Sequence, residues 1–245
     1  MDVLKSILVW FIAVCFLAIL FPVTFLVWLV LYPFDTERRV THRILIWQSV
    51  AISWLVPIWK IRIEGREKAA RNITCVIISN HQSILDILLV NCLGYRFKWI
   101  SKIENMKVPV LGWYLRMAGY ITVDRGNDES KAAMLGIALA ALRRGCSIMI
   151  FPEGTRSADG NVGFFKRGAF QLAMEAGVPI LPVVLDGTAG ILPKHGLKFR
   201  SGYNVRIRVL DPVPPAEFGT DDPDTLAGRF GSLIRSELSS MRAEN

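Results

Sequence analysis

The sequence predicts an α/β protein: a mixed sheet flanked by helices, preceded by an N-terminal hydrophobic two-helix membrane motif. Three observations carry this. From Ser6 to Phe34 run 29 consecutive uncharged residues, mostly Leu, Val, Ile, Phe and Trp. A second uncharged run covers the 16 residues from Ile44 to Trp59. Beyond them, short apolar runs of strand length alternate with amphipathic stretches of helix length, the pattern of helices packed on a sheet. The 245 residues suffice for one such domain and an appendage. The division falls at residue 60, with 1–60 anchoring and 61–245 forming the α/β domain.

The first apolar run is long enough to cross a bilayer, which takes roughly 20 residues, and the second is too short. A cleaved signal peptide fits poorly, because the run is too long and no small-x-small site closes it. Pro22 falls mid-run, where the missing N–H favours a kink or a break. Two half-depth helices meeting near Pro22 are therefore the favoured arrangement over one straight span, with Trp47, Trp54 and Trp59 placing the second run along the interface. Arg38, Arg39 and Arg43 follow the first run, whereas Lys5, offset by Asp2, precedes it. The excess of positive charge puts residue 38 onward on the cytoplasmic side.

Seven strands are expected: Ile61–Glu64, Thr74–Ser79, Phe97–Ser101, Tyr120–Val123, Ser147–Phe151, Ile180–Leu185 and Val205–Leu210. The helices between them have readable ends. Asn127 or Asp128 can cap Glu129–Arg144, which stops at Gly145. A helix opens at Gly163 or Phe164 and ends at Gly177, two residues before Pro179. From about Asp224, residues Leu226, Phe230, Leu233, Ile234, Leu238 and Met241 recur at helical spacing.

Charge is concentrated in the middle. Residues 95–210 hold 17 basic and 8 acidic side chains, net +9, while residues 211–245 are net −4. A basic central region beside an apolar front points to anionic lipid headgroups or phosphorylated substrates. Nucleic acid is not expected, since no binding motif is present. Cys15, Cys75, Cys92 and Cys146 form no C-x-x-C pair and lie in apolar stretches, as buried free thiols of a reducing compartment do. The three histidines, His42, His81 and His195, lack metal-ligand spacing, so no metal site is expected. Asn72-Ile73-Thr74 matches a glycosylation sequon that cytoplasmic placement makes accidental.

Three constellations carry chemistry. Asn80-His81-Gln82-Ser83-Ile84-Leu85-Asp86 follows an apolar strand and opens a helix. On a straight helix, positions five apart diverge by about 140°. His81 therefore meets Asp86 only if His81 lies on the turn and Asp86 in the first helical turn. Asp86 would then hold one ring nitrogen and leave the other as an acceptor for a hydroxyl proton. Ser83-x-x-Asp86 is also a capping box, a role compatible with the first. The second constellation is Phe151-Pro152-Glu153-Gly154-Thr155-Arg156-Ser157. There Gly154 permits close backbone approach and Arg156 can hold a phosphate bidentately, although read alone the segment is an ordinary turn. The third, Gly119-Tyr120-Ile121-Thr122-Val123-Asp124-Arg125, ends in a charged pair and lies downstream of Ser101-Lys102.

With Val178-Pro179-Ile180-Leu181-Pro182, these make four blocks in the order and approximate spacing of the glycerolipid acyltransferases. The sequence resembles that family, and within it the 1-acylglycerol-3-phosphate acyltransferases, from about Ile61 to Leu210. The resemblance implies transfer of a fatty acyl group from a thioester, on coenzyme A or acyl carrier protein, to the free hydroxyl of lysophosphatidic acid. It implies His81 as base and Asp86 as its orienting partner. It assigns Glu153, Gly154, Thr155 and Arg156 to the acceptor phosphate, assisted by Arg125 and Lys102. It also implies an apolar front that docks on membrane lipids. Gly126-Asn127, after Asp124-Arg125, departs from the bulkier or basic residues of many relatives and leaves the acceptor's identity open.

A thioester is already activated, so removal of the hydroxyl proton is the main task, and no cofactor beyond the acyl carrier is expected. Backbone N–H groups near Ser83 are the expected donors to the oxyanion. No Gly-x-Ser-x-Gly elbow is present, so no acyl-enzyme is expected. The competing readings are an acyltransferase acting on another lysolipid or on glycerol-3-phosphate, and a lipid-phosphate-binding anchor without activity.

Overall fold

The computed structural model describes residues 2–56, 59–68 and 73–244; Pro57, Ile58 and the sequon residue Asn72 lie outside them. All seven expected strands form: β1 Lys60–Glu64, β2 Val76–Ser79, β3 Phe97–Lys102, β4 Ile121–Val123, β5 Ser147–Ile150, β6 Ile180–Asp186 and β7 Asn204–Val209. They build one sheet in the order β1-β7-β6-β2-β5-β3-β4. From β6 to β4 every neighbour is parallel; β7 runs antiparallel to β6 and β1 parallel to β7. The central strand β2 is buried on both faces, as strands covered by helices on either side must be.

The helices are α1 Asp2–Leu31, α2 Arg39–Leu55, α3 Leu85–Asn91, α4 Leu111–Met117, α5 Asp128–Arg143, α6 Gly168–Ala176, α7 Thr188–Ile191 and α8 Pro223–Ala243. Alternate residues of β2 serve two cores. Ile77 faces Leu85 and Leu89 of α3 and Ile52 of α2, whereas Val76 and Ile78 face Leu142, Phe170 and Phe230 of α5, α6 and α8. The cap of α5 is the expected one, Asn127 Oδ1 accepting Ser130 N at 3.0 Å. Helix α8 is capped by Asp222 and buries the expected stripe except Leu233, which is exposed.

Two expectations about local structure are corrected, and one helix is added. Helix α1 runs unbroken through Pro22, so the chain does not turn there; the corner lies at residues 32–38, before α2. A proline removes one intrahelical bond, and next to it Thr24 Oγ1 bonds Leu20 O at 2.8 Å and receives Gln48 Nε2 of α2 at 2.7 Å. The helix expected from Gly163 begins only at Gly168, because residues 163–166 are recruited elsewhere: Gly163 N donates to the Glu153 carboxylate and Lys166 N to Pro152 O. Finally, α4 was not foreseen.

Helices α1 and α2 are inside-out. Facing the protein, α2 buries Thr41, His42, Gln48, Ser49 and Ser53 while exposing Val40, Trp47, Trp54 and Leu55. Helix α1 is apolar from Val3 to Leu31 and long enough to cross a membrane, with only Ser6, Val9 and Thr24 buried and about half of its residues exposed. It nevertheless lies against the α/β domain. Ser6 Oγ accepts Phe199 N at 2.8 Å, Trp10 Nε1 donates to Leu197 O at 2.9 Å, and the Phe21 ring sits 5.2 Å from that of Trp113.

Candidate active site

Five parallel strands bring their C-terminal ends to one edge of the sheet, where the loops of a doubly covered sheet are free to bind ligands. Strand β2 delivers His81, β5 delivers residues 151–157, β3 ends in Lys102, and β4 leads into Arg125. Register places Lys102 opposite Val123, two residues from Arg125. Order in the sequence thus becomes adjacency in space. The block Val178–Pro182 supplies no side chain to this edge; it starts β6. Pro182 pairs with Ile78 of β2, and on its other side its carbonyl accepts Leu210 N at 3.0 Å, between the bridge from Ile180 to Val213 and the β6–β7 ladder that begins at Val183.

The turn after β2 is fixed on every side. Asn80 grips β6, its Nδ2 donating to Leu185 O and its Oδ1 accepting Leu185 N, both at 2.8 Å. His81 N donates to Glu153 Oε1 at 2.9 Å, and His81 O accepts Ser157 N at 2.7 Å. Residue 81 therefore stays off the helix while Asp86 is the second residue of α3, the condition for their side chains to meet. Asp86 Oδ2 lies 2.8 Å from His81 Nδ1. The same oxygen accepts Gln82 N at 2.6 Å and Ser83 N at 2.8 Å, the return half of the expected capping box, while Ser83 Oγ donates instead to Leu192 O; the carboxylate ties down the turn before the helix and the imidazole at once.

A fully buried carboxylate needs all its lone pairs occupied. The other oxygen, Oδ1, accepts Thr188 Oγ1 at 2.6 Å from the start of α7. Thr188 is also completely buried. Nothing in the sequence marks it, since its partner is 102 residues away. Phe151, quoted in the second block, has an unforeseen part too. Its ring stacks on His81 with centroids 3.9 Å apart and planes 7° apart, and Trp99 stacks behind it at 5.3 Å. With Nδ1 held by Asp86 and one face covered, His81 presents Nε2, which has no hydrogen-bond partner among the described residues. An imidazole whose Nδ1–H faces a carboxylate offers Nε2 as a proton acceptor.

The donors expected near Ser83 are not available to an oxyanion, because both Gln82 N–H and Ser83 N–H are committed to Asp86. Glu153 also differs from expectation. It is buried, and its oxygens accept His81 N and, at 3.1 Å, Gly163 N. Burial pushes its carboxyl up and the two N–H donors pull it back. An inward carboxylate beneath the loop braces it; it does not ligate an anion. Gly154 sits at φ +70°, the left-handed region that favours glycine, and a Cβ there would stand 3.2 Å from Lys166 Nζ. Its carbonyl accepts Arg125 Nη1. Thr155 is exposed and Arg156 half-buried, with no ion pair on Arg156 or Lys166 among the described residues. Lys102 is exposed and paired with Glu104 at 2.7 Å. The structure thus gathers Arg125, Gly154 and Lys166, and adds Lys166 to the expected cations. The departure at Gly126-Asn127 is local: Gly126 N bonds Asp124 Oδ1 and Asn127 caps α5. Among the described residues no three His, Cys, Asp or Glu side chains gather at one point.

This parallel-sheet edge, with an oriented imidazole beside cations, has the architecture of an acyltransferase. The family model described as "Acyltransferase" matches residues 60–186, and the chain belongs to that family. It is 39% identical over 183 residues to a chloroplastic 1-acyl-sn-glycerol-3-phosphate acyltransferase of Arabidopsis thaliana, covering 74% of this chain and 51% of that protein. A probable 1-acyl-sn-glycerol-3-phosphate acyltransferase of Mycoplasma genitalium is 32% identical, covering 69% of this chain and 68% of its own length. Among solved structures, the 1-acyl-sn-glycerophosphate (LPA) acyltransferase PlsC of Thermotoga maritima superposes with a TM-score of 0.84 at 26% identity. The match covers 99% of this chain and 96% of that one. The chain spans about half the length of the chloroplast relatives it matches.

Proposed function

We propose that this chain transfers a fatty acyl group from a thioester to the free hydroxyl of 1-acylglycerol-3-phosphate, giving phosphatidic acid. The observation that carries the reading is the His81–Asp86 pair at 2.8 Å, on the same sheet edge as the Gly154 loop that Arg125 and Lys166 approach. The names of the relatives point the same way. In this reading Nε2 takes the hydroxyl proton as the hydroxyl oxygen attacks the thioester carbonyl. The thiol then leaves on its carrier, coenzyme A or acyl carrier protein, and no further cofactor takes part. Arg156 holds the acceptor phosphate with Lys166 and Arg125, near Thr155 and the end of Lys102. Asp86, Thr188, Phe151 and Glu153 position the imidazole and its loop.

The chain works on a membrane through α1 and the outer face of α2, with the catalytic edge toward the cytoplasm. Arg38, Arg39 and Arg43 support that side. The contacts of α1 support a helix lying within one leaflet. Ser6 and Phe21 are about 22 Å apart along a helix, yet both touch the α/β domain. A transbilayer α1 would carry the loop at Leu197–Phe199 into hydrocarbon.

The test is an assay of purified protein crossing labelled lysophosphatidic acid, other lysolipids and glycerol-3-phosphate with both thioester carriers. Turnover only on lysophosphatidic acid is expected. Turnover on another acceptor alone would reassign the substrate, and binding of lysolipid without turnover would leave a lipid-phosphate anchor.

A further inference from the structure

Between β3 and α4 the chain does something the sheet does not need. A 3-10 turn at Ile103–Lys107 leads to Val110, a β-branched residue held at φ 65° and ψ −55°. Such residues avoid positive φ, and strain of this kind collects where function fixes the backbone. Two residues on, the chain closes on itself: a Cβ on Gly112 would stand 2.1 Å from Met106 O. The result is outward display. Ile103, Val108, Leu111 and Trp113 are all exposed within eleven residues of chain.

These side chains continue a surface already described. Trp113 and Tyr114 pack on Phe21 at ring distances of 5.2 and 5.5 Å, two-thirds of the way along α1, so the patch adjoins that helix's exposed apolar face. Lys107 and Arg116 flank the patch, exposed and without an ion-pair partner among the described residues. An apolar patch with a Trp and a cationic rim suits the headgroup boundary of an anionic bilayer. An acidic protein would satisfy the cations too, but would have to share the patch with the lipid that covers α1. Continuity with α1 decides for the bilayer.

We propose that residues 103–113 form a third membrane-inserting element, contributed by the α/β domain itself. The element begins directly after Lys102, at the sheet edge that carries His81. Insertion sets that edge at headgroup level, independently of what reaction occurs there.

The test is depth-dependent quenching of an environment-sensitive fluorophore on full-length protein in phosphatidylglycerol–phosphatidylcholine vesicles. With Cys15→Ala, the three remaining thiols are buried, and burial pushes that of Cys75 up to about 11, so they resist labelling. Single cysteines are placed at Val108, at Leu26 on α1 and at Ser239 on α8. For insertion about 5–10 Å into the boundary, lipid-borne nitroxide near the headgroup quenches the Val108 label at least half as strongly as the Leu26 label. The Ser239 label stays unquenched. Quenching at Val108 no greater than at Ser239, with Leu26 quenched, overturns the proposal. So does a Val108 signal that responds to acyl carrier protein and not to vesicles. Because no turnover is read, failure of the acyltransferase reading would leave this result standing.

Discussion

His81 does its work through what surrounds it. Nδ1 is tied to Asp86, one ring face lies on Phe151, and the backbone is clamped by Glu153 and Ser157. His81→Ala should abolish acyl transfer and leave folding and membrane association unchanged; near-normal turnover in a folded variant would remove the central assignment. Thr188 acts one step back. Thr188→Val strips Asp86 Oδ1 of its donor, a loss worth roughly 1–3 kcal/mol for a buried group. If that loss falls on the oriented state, kcat drops roughly tenfold to a hundredfold, acceptor KM stays near normal, and Thr188→Ser restores the rate. Equal kcat in the Val and wild-type proteins would make Thr188 a packing residue only. Arg156→Ala should act on binding. Losing a charged hydrogen bond costs roughly 1.5–3 kcal/mol, which is about a tenfold to hundredfold rise in acceptor KM. Steady-state kinetics with each substrate varied in turn separates this from an effect on the thioester.

At the scale of elements, α2 is fastened to the sheet by its polar face, and His42 is the centre of that fastening. Its Nδ1 lies 2.9 Å from Tyr120 Oη and its Nε2 3.3 Å from Tyr95 O. Burial drives its pKa down from 6.5 to about 4, and Arg96 and Lys98 push the same way against the pull of the Tyr95 carbonyl. The folded state therefore keeps His42 neutral where the unfolded chain would protonate it. Its contribution is complete above pH 6.5, falls as the pH drops, and is gone below about 4, a span of roughly 3 kcal/mol. Thermal melts between pH 7 and 4.5 should show a marked acid loss in the wild type and a shallower one in His42→Asn. Identical acid slopes would place the sensitivity elsewhere.

Taken whole, the molecule leans a soluble-looking α/β domain against its own apolar helix. The packing of α1 along that domain implies that Val3 shares a side with Ser157. In sealed right-side-out vesicles, a cysteine at Val3 should stay protected from an impermeant thiol reagent until lysis. Modification before lysis would establish a transbilayer α1, and external labelling at Ser157 would reverse the whole orientation.

The seven strands, the helix cap at Asn127 and the two apolar helices were legible in the chain because each depends on nearest neighbours. Period, capping side chains and length are local properties. His81 with Asp86 was legible for the same reason, five residues being bridged by one turn. Other features depend on residues far apart in sequence, and only the tertiary structure decided them. Thr188 reaches Asp86 across 102 residues, and Glu153 turns inward to accept His81 N, 72 residues away. Residues 163–166 forgo a helix they could form, since tying down the Glu153 loop satisfies their backbone groups instead. Pro22 stays inside a helix, although proline chemistry alone favoured a break there. Composition said that α1 can cross a bilayer. Its contacts with Leu197, Phe199 and Trp113 lay it along the domain, because hydrogen bonds and ring packing fix direction where hydrophobicity fixes only solvent.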